Sequence, residues 1–362
     1  MHIGIACGGT GGHIFPGIAT AEVLKKRGHD VVLWLTGRDV ENTSLEGWKG
    51  QVERINAIGF PSGFSLLYPA AFLSIVKAFR LARSRMKTGR PDVLLAMGSY
   101  ASVGPVLAAR SLGVPVILHE ANAVPGRAIS LLSRFSSAVA VMFEETSQFL
   151  RHAKVVVTGL PIRSELLSRT EGRFLEPDTF TVLVTGGSQG AHALNNVVSS
   201  TLCRLYKKGM SIQVIHLTGA ADENSVRQKY EKAGISHEVF GFLKDMKKAY
   251  NSVDLVVARA GAATCAEISV CGVPALLVPL PFARKQHQMV NAVAMMKTGG
   301  VDVITEKELN EKQLVSYIKE CSRDRKKLRE MRDALKSFAV PDAAERLADL
   351  VEKEGSGDTA KR

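Results

Sequence analysis

Short apolar, β-branched runs alternate along this chain with longer stretches in which apolar residues recur every three or four positions. The short runs read as strands buried on both faces of a parallel sheet, and the longer ones as the helices that cover it. Predicted strands are 2–6, 31–35, 93–97, 114–119, 138–142 and 155–158. After the polar, proline-bearing passage "GLPIRSELLSRTEGRFLEPDT" the alternation restarts, with strands over 181–185, 213–217, 237–240, 255–258, 275–278 and 302–304. The restart repeats the opening: "VLVTGGSQGA" follows the strand, glycine pair, helix order of "IGIACGGTGGH". The pattern therefore predicts two doubly wound α/β domains in tandem, with ligands at the carboxyl ends of the strands. Domains are expected over 1–160 and 161–340, with a helix over 341–355 packing back on the first.

Composition narrows the classes. A chain of 362 residues exceeds what one hydrophobic core usually organises, and 46% hydrophobic with 23% charged residues is ordinary for a globular protein. No run of about twenty uncharged apolar residues occurs. The N-terminus enters the strand-like "HIGIA" directly rather than through a basic segment and an apolar leader, so the chain is expected to stay in the cytoplasm. Five scattered cysteines, Cys7, Cys203, Cys265, Cys271 and Cys321, lack C-x-x-C spacing and predict reduced thiols with no structural zinc. The net charge of +12 points to an anionic partner: nucleic acid, a phosphorylated substrate or an acidic membrane surface.

The segment "ACGGTGGHIFPG" leads into a helix expected to open near Pro16. Glycines of this density let backbone amides approach a ligand. The N-terminus of the following helix adds unbonded N–H groups and roughly half a positive charge, which suit a phosphate. The dinucleotide fingerprint G-x-G-x-x-G is not met, because Ile14 stands where its last glycine belongs when counted from Gly9. No Gly-Lys pair occurs, which excludes a Walker loop. His13, at the mouth of the loop, is a residue type suited to proton removal at neutral pH, with a capping or core role as the alternative.

"GGTGGHIFPG", "HEANAVPGRA", "TGLPIR", "VTGGSQGA", "GFLKDM", "ARAGAATCAEI" and "RKQHQMVNA" stand in the order found in the MurG family of bacterial glycosyltransferases, glycosyltransferase family 28. The chain resembles that family from Ile3 to the "PDAAERLADLV" helix. The resemblance implies a GT-B fold, two Rossmann-like doubly wound α/β domains facing a deep cleft. It implies UDP-N-acetylglucosamine as donor, the C4 hydroxyl of the muramyl sugar of lipid I (undecaprenyl-diphosphate-MurNAc-peptide) as acceptor, and lipid II for peptidoglycan as product. It also implies inversion at the anomeric carbon, no cofactor and no metal, and peripheral attachment at the cytoplasmic face of the bacterial inner membrane. Implied partners include an anionic membrane surface and cell-wall or division proteins, but no nucleic acid. No D-x-D motif occurs to hold a divalent cation against a leaving diphosphate, and two helix N-termini are a substitute in kind. Two other readings compete: a different enzyme of the same fold, such as a UDP-N-acetylglucosamine epimerase or glycolipid synthase, and a non-catalytic nucleotide-sugar or nucleic-acid-binding protein. The second lacks the interleaved basic and aromatic residues of a strand platform.

By resemblance, His13 is the general base. Thr10, Gly11, Gly12, Asn122, Arg163, Ser188, Leu243, Ala262, Ala263, Thr264, Cys265, Ala266, Glu267 and Gln288 bind the donor. Glu267 would accept from both ribose hydroxyls, Leu243 would meet the uracil through its backbone, Ser188 and the amides of 262–264 would face phosphate, and Asn122 and Gln288 would bond sugar hydroxyls. Gly9, Gly12, His13, Ser99 and Tyr100 would meet the acceptor diphosphate. Ser99 departs from the family's glycine, and Leu160 stands where an amide side chain is usual beside an interdomain hinge expected near 159–162; both are expected to modulate activity rather than abolish it. Residues 61–90 carry Lys77, Arg80, Arg83, Arg85, Lys87 and Arg90 without one acid. With Phe72, Ile75, Val76 and Phe79 at helical spacing, the segment is expected to lie on an anionic membrane.

Overall fold

The computed structural model describes residues 1–37, 41, 45, 47–55, 68–151, 153–168, 172–176, 178–187, 190–281 and 286–357. It divides into two compact units, Met1–Arg163 with Val340–Arg362, and Ser164–Ala339.

The first unit is built on seven parallel strands: β1 (His2–Ala6), β2 (Asp30–Leu35), β3 (Gln51–Arg54), β4 (Val93–Ala96), β5 (Val116–Glu120), β6 (Ala138–Val141) and β7 (Val155–Val157). Their order across the sheet is β3-β2-β1-β4-β5-β6-β7. Side-chain parity fixes both faces. Ile3, Ile5, Val31, Leu33, Val93 and Leu95 point to one side, where they cluster with Ala21 and Leu24 of α1 (Gly11–Lys26) and with Leu347, Leu350 and Val351 of the C-terminal helix, Ala343–Gly355. That helix is fastened at its rim by Arg27 to Asp349 and to Glu352, both at 2.7 Å, and by Lys154 to Glu354 at 2.6 Å. Val32, Trp34, Leu94 and Ala96 point to the opposite side and meet α2 (Tyr68–Thr88), α3 (Val103–Ser111) and α4 (Arg127–Leu132).

The second unit repeats the plan with β8 (Phe180–Thr185), β9 (Ile212–Leu217), β10 (His237–Phe240), β11 (Leu255–Ala258), β12 (Ala275–Leu277) and β13 (Val301–Val303), ordered β10-β9-β8-β11-β12-β13. Its helices are α5 (His192–Lys207), α6 (Glu223–Ala233), α7 (Met246–Asn251), α8 (Ala262–Cys271), α9 (His287–Met296), α10 (Glu311–Arg323) and α11 (Arg325–Phe338). Asn310 and Asp324 accept from the amides of Gln313 and Lys327 and so cap α10 and α11. In each sheet the order reverses beside the first strand, between β1 and β4 and between β8 and β11. Ligand loops of doubly wound sheets gather at that reversal.

The twelve strands expected from the pattern are present to within two residues at each end. β3 is an additional strand: "QVER" holds one apolar residue and sits at the sheet edge, half exposed, so burial left no signature in it. α1 opens at Gly11, with Pro16 inside it rather than at its start. The structure also corrects the apolar face of α2. Ala71, Ala78, Ala82 and Met86 are its buried stripe, and Ile75 and Phe79 pack against the same core instead of facing outward. Small residues mark the close-packed side, while the bulkier Phe72 (61% exposed) and Leu73 (58%) lie outside it. Among the described residues no helix is long and apolar enough to cross a membrane.

Candidate functional site

Both glycine loops, and the Gly98–Ser99 turn across the first strand-order reversal, are shaped by backbone that ordinary side chains resist. After β1, Gly9 takes φ +128°, and a Cβ there would stand 2.8 Å from the Ser99 hydroxyl in the loop after β4. Ser99 itself sits at φ 65°, ψ 161°, a region that essentially only glycine occupies, at a cost of order 1–3 kcal/mol. Serine thus stands where the backbone has the glycine conformation, and its hydroxymethyl fills the space beside Gly9.

Beneath this loop lies Glu41, a residue that sequence reasoning missed. Its carboxylate accepts the Gly9 amide at 3.0 Å, the Thr36 amide at 3.0 Å and the Gly37 amide at 2.6 Å, together with the Thr36 hydroxyl at 2.5 Å. Burial works to raise the pKa of this carboxyl, but the bonds from Thr36, Gly9 and Gly37 outweigh it and hold the group below the ordinary range. The Gly9 amide, expected to meet the acceptor diphosphate, is therefore engaged from inside. Gly11 and Gly12 open α1, where helix geometry provides no carbonyl for their N–H groups.

His13 stands one turn into α1 with its Nδ1 3.0 Å from the Thr10 hydroxyl. Its ring edge also lies close to Gly98. Burial pushes the imidazole down to about 4, so it is neutral at pH 7. His119, at the end of β5, donates from Nε2 to the Gly159 carbonyl at 3.0 Å and is likewise pushed down to about 4 by burial. The next residue, Glu120, accepts from the Asn122 amide at 2.9 Å, from its side-chain Nδ2 at 3.1 Å and from the Gly126 amide at 2.8 Å. Asn122 is thus oriented by a neighbouring carboxylate that could have been read from the same "HEAN" motif. Arg163 lies with its guanidinium over the Phe15 ring, 5.1 Å from the centroid. Tyr100 opens a single helical turn, Tyr100–Ser102, directly after Ser99.

In the second unit the loop after β8 is just as tight. Gly190 has φ +72°, and a Cβ there would overlap the Thr218 carbonyl at 2.1 Å. Ser188 lies outside the described residues. The first turn of α5 is tied to the end of β9: Asp222 accepts from His192 Nδ1 at 2.8 Å and from Asn195 Nδ2 at 2.7 Å, and Asn195 also donates to the Thr218 carbonyl at 2.9 Å. Buried His216 continues the network, with Nε2 3.1 Å from Asn195 Oδ1 and Nδ1 2.8 Å from the Tyr230 hydroxyl, and burial drives it down to about 3.

Across the reversal, Gly261 in extended backbone starts α8, whose first residues are Ala262, Ala263 and Thr264. Ala262, Cys265 and Ala266 are buried, and burial pushes the Cys265 thiol up to about 12, which makes it a packing residue rather than a nucleophile. Glu267 is half-buried and accepts from the Tyr250 hydroxyl at 3.0 Å. Leu243 lies in the loop between β10 and α7, and Gln288, on α9, accepts the Leu280 amide at 2.9 Å. Two further anchors stand within the quoted motifs. Asn291 donates to the Ala260 carbonyl at 3.1 Å. The buried Arg259 guanidinium donates to the Val278 carbonyl at 3.1 Å and pairs with Glu306. Among the described sequence-expected residues, those after β1, β4, β5 and β7 lie on the first unit, and those after β10, β11 and β12 lie on the second.

Three histidines held neutral make stability depend on pH. His13, His119 and His216 have folded values of about 4, 4 and 3, below the roughly 6.5 of the unfolded chain. The unfolded state therefore binds more protons in this window, and stability is lost as pH falls from about 6.5 toward 4. Urea midpoints should drop steeply between pH 7 and pH 5, before most carboxylates titrate, and His216→Asn should flatten that slope; a pH-independent midpoint over this range would contradict the assignment.

Comparisons with known proteins agree with this geometry. Residues 3–141 match the glycosyltransferase family 28 N-terminal domain, and residues 181–347 match the family 28 C-terminal domain. A Geobacter metallireducens protein named UDP-N-acetylglucosamine–N-acetylmuramyl-(pentapeptide) pyrophosphoryl-undecaprenol N-acetylglucosamine transferase is 35% identical over 354 residues, covering 96% of this chain and 97% of its own length. The crystal structure of Acinetobacter baumannii MurG superposes with a TM-score of 0.78 at 30% identity, covering 97% of this chain and 99% of that one. A UDP-GlcNAc 2-epimerase from Neisseria meningitidis shares the fold, with a TM-score of 0.71 over 98% of this chain and all of the other, but only 13% of its residues. Matched in both halves and along nearly its full length, the chain belongs to glycosyltransferase family 28 and has the GT-B fold.

Proposed function

We propose that the chain transfers N-acetylglucosamine from UDP-N-acetylglucosamine to the C4 hydroxyl of the muramyl sugar on pyrophosphoryl-undecaprenol-linked muramyl-pentapeptide, a precursor of peptidoglycan. The observation that carries this reading is the near-full-length likeness to the Geobacter transferase, whose name states both the sugar transferred and the acceptor. The chemistry at each half-site supports it. In the tautomer that donates Nδ1–H to the Thr10 hydroxyl, His13 would use its Nε2 lone pair to take the proton of the attacking hydroxyl. Burial alone leaves this imidazole a weak base. An acceptor diphosphate at Gly11 and Gly12 would raise its basicity, because a nearby anion favours the protonated form. Displacement at the anomeric carbon from the opposite side inverts it and releases UDP. The departing charge would be met by the N-termini of α5 and α8, fixed dipoles that need no reorganisation. Glu267 would accept from the ribose hydroxyls, and Asn122 and Gln288 would bond the sugar.

General-base catalysis contributes about 10²- to 10⁴-fold, so His13→Ala should lower kcat at least about a hundredfold with little change in UDP affinity. Turnover within a few-fold of the unaltered enzyme would remove His13 from the mechanism.

A lipid-linked acceptor requires the enzyme to work at a bilayer surface, and α2 supplies a suitable face. Phe72 and Leu73 are more than half exposed, Leu81 is 41% exposed, and Lys77, Arg80 and Lys87 share the outward side. Apolar side chains of this kind enter the headgroup boundary, and each basic residue near an anionic surface adds about 1 kcal/mol. Binding to phosphatidylglycerol vesicles should weaken with added salt and be absent on phosphatidylcholine. Phe72→Glu with Leu73→Glu should abolish it at unchanged Tm, since neither side chain is in the core; retention of vesicle binding by this variant would exclude α2 as the attachment face.

A further inference from the structure

A glutamate on a helix has three side-chain torsions, and a carboxylate that must take two ribose hydroxyls at once gains from having them fixed beforehand. At Glu267 a buried tyrosine can do this. Tyr250, near the end of α7, is 2% exposed, and its hydroxyl lies 3.0 Å from Glu267 Oε2. A phenol facing a carboxylate can only donate, and its ring, with two torsions and no free space, cannot follow the carboxylate if it turns. The helix that carries it is itself fixed. Asp245 accepts the Lys248 amide at 2.9 Å at its start, Lys247 Nζ donates to the Leu166 carbonyl at 2.5 Å, and Ser252, just past its end, donates to the Lys248 carbonyl at 2.6 Å. A carboxylate offers about four lone-pair positions, and the phenol takes one of them.

We infer that Tyr250 is a positioning residue for the donor nucleotide: its buried O–H holds the Glu267 carboxylate in the orientation that receives the ribose hydroxyls. The inference rests on the ribose role of Glu267 proposed above. Tyr250 touches no substrate; it confers preference for a ribonucleotide through Glu267. Tyr250→Phe removes one oxygen and keeps the ring, so the core of the second unit is preserved.

The test is calorimetric titration of UDP and of 2′,3′-dideoxy-UDP into the full chain, its Tyr250→Phe and Glu267→Ala variants and the double variant. Tyr250→Phe should weaken UDP by about three- to tenfold, less than the ten- to hundredfold of a charged hydrogen bond lost directly. It should leave dideoxy-UDP unaffected and add nothing in the double variant. In steady state, KM for the donor should rise by a similar factor with kcat unchanged. If Tyr250→Phe binds UDP as tightly as the unaltered chain while Glu267→Ala does not, or if its penalty is equal for the two nucleotides, the positioning role is overturned and the ribose role stands. If the unaltered chain binds both nucleotides equally and Glu267→Ala costs nothing, the ribose role falls, and the positioning role with it.

Discussion

Loops at the carboxyl edges of both sheets are anchored from beneath by buried hydrogen-bonded polar groups, and the geometry of both candidate half-sites depends on that. A loop leaving the carboxyl edge of a parallel sheet carries backbone amides that must be bonded inward or presented to a ligand. Here the division is made by charge. Glu41 takes the amides of Gly9, Thr36 and Gly37, and Glu120 takes those of Asn122 and Gly126. Asp222 fastens the first turn of α5 through His192 and Asn195, and Arg259 fastens the end of β11 to that of β12. A buried charge is tolerated only when it is bonded, so the bonds made by Glu41, Glu120 and Asp222 favour one loop conformation over others. What remains turned outward is the start of a helix, with amides and a dipole suited to phosphate.

Such anchoring explains how two similar loops can tolerate different sequences. Ser99 occupies backbone that favours glycine, and the strain persists because Gly9, Ser102 and the end of β4 surround it; Ser102 donates to the Gly98 carbonyl in the same turn. The neutral histidines belong to the same scheme. His119 and His216 are interior links whose rings join a strand end to a loop or helix, whereas His13 stands at the opening of α1. His119 and His216 are fully buried, whereas His13 is only half-buried.

The architecture was legible because its signals are local. Strands buried on both faces appear as unbroken apolar runs, and the glycine pairs after β1 and β8 mark tight turns by residue type alone. β3 was not legible, since an edge strand of four residues needs no apolar pattern. Bulky residues point to the wrong face of α2, because Ala78 and Ala82 are the positions where the helix packs closely. At the site, residues inside the motifs were named, but Glu41 was not: it stands apart from any motif, and its role arises from contacts to residues 32 positions earlier in the chain and five positions earlier. Glu120 is legible as a carboxylate beside Asn122, but the supporting contacts of Arg259 and Asn291 leave no mark in residue type. Tyr250 was hidden for the same reason.

Joining a sugar to a lipid-linked acceptor is what separates this chain from a UDP-GlcNAc 2-epimerase that shares its fold. The most direct measurement follows radiolabelled UDP-N-acetylglucosamine incubated with the purified chain and a short-chain analogue of the muramyl-pentapeptide lipid, with products separated and counted. The account predicts label in a disaccharide product, one UDP released per sugar transferred, and no consumption of donor without acceptor. Label released as free sugar or recovered as an epimer, with no disaccharide formed, would contradict it.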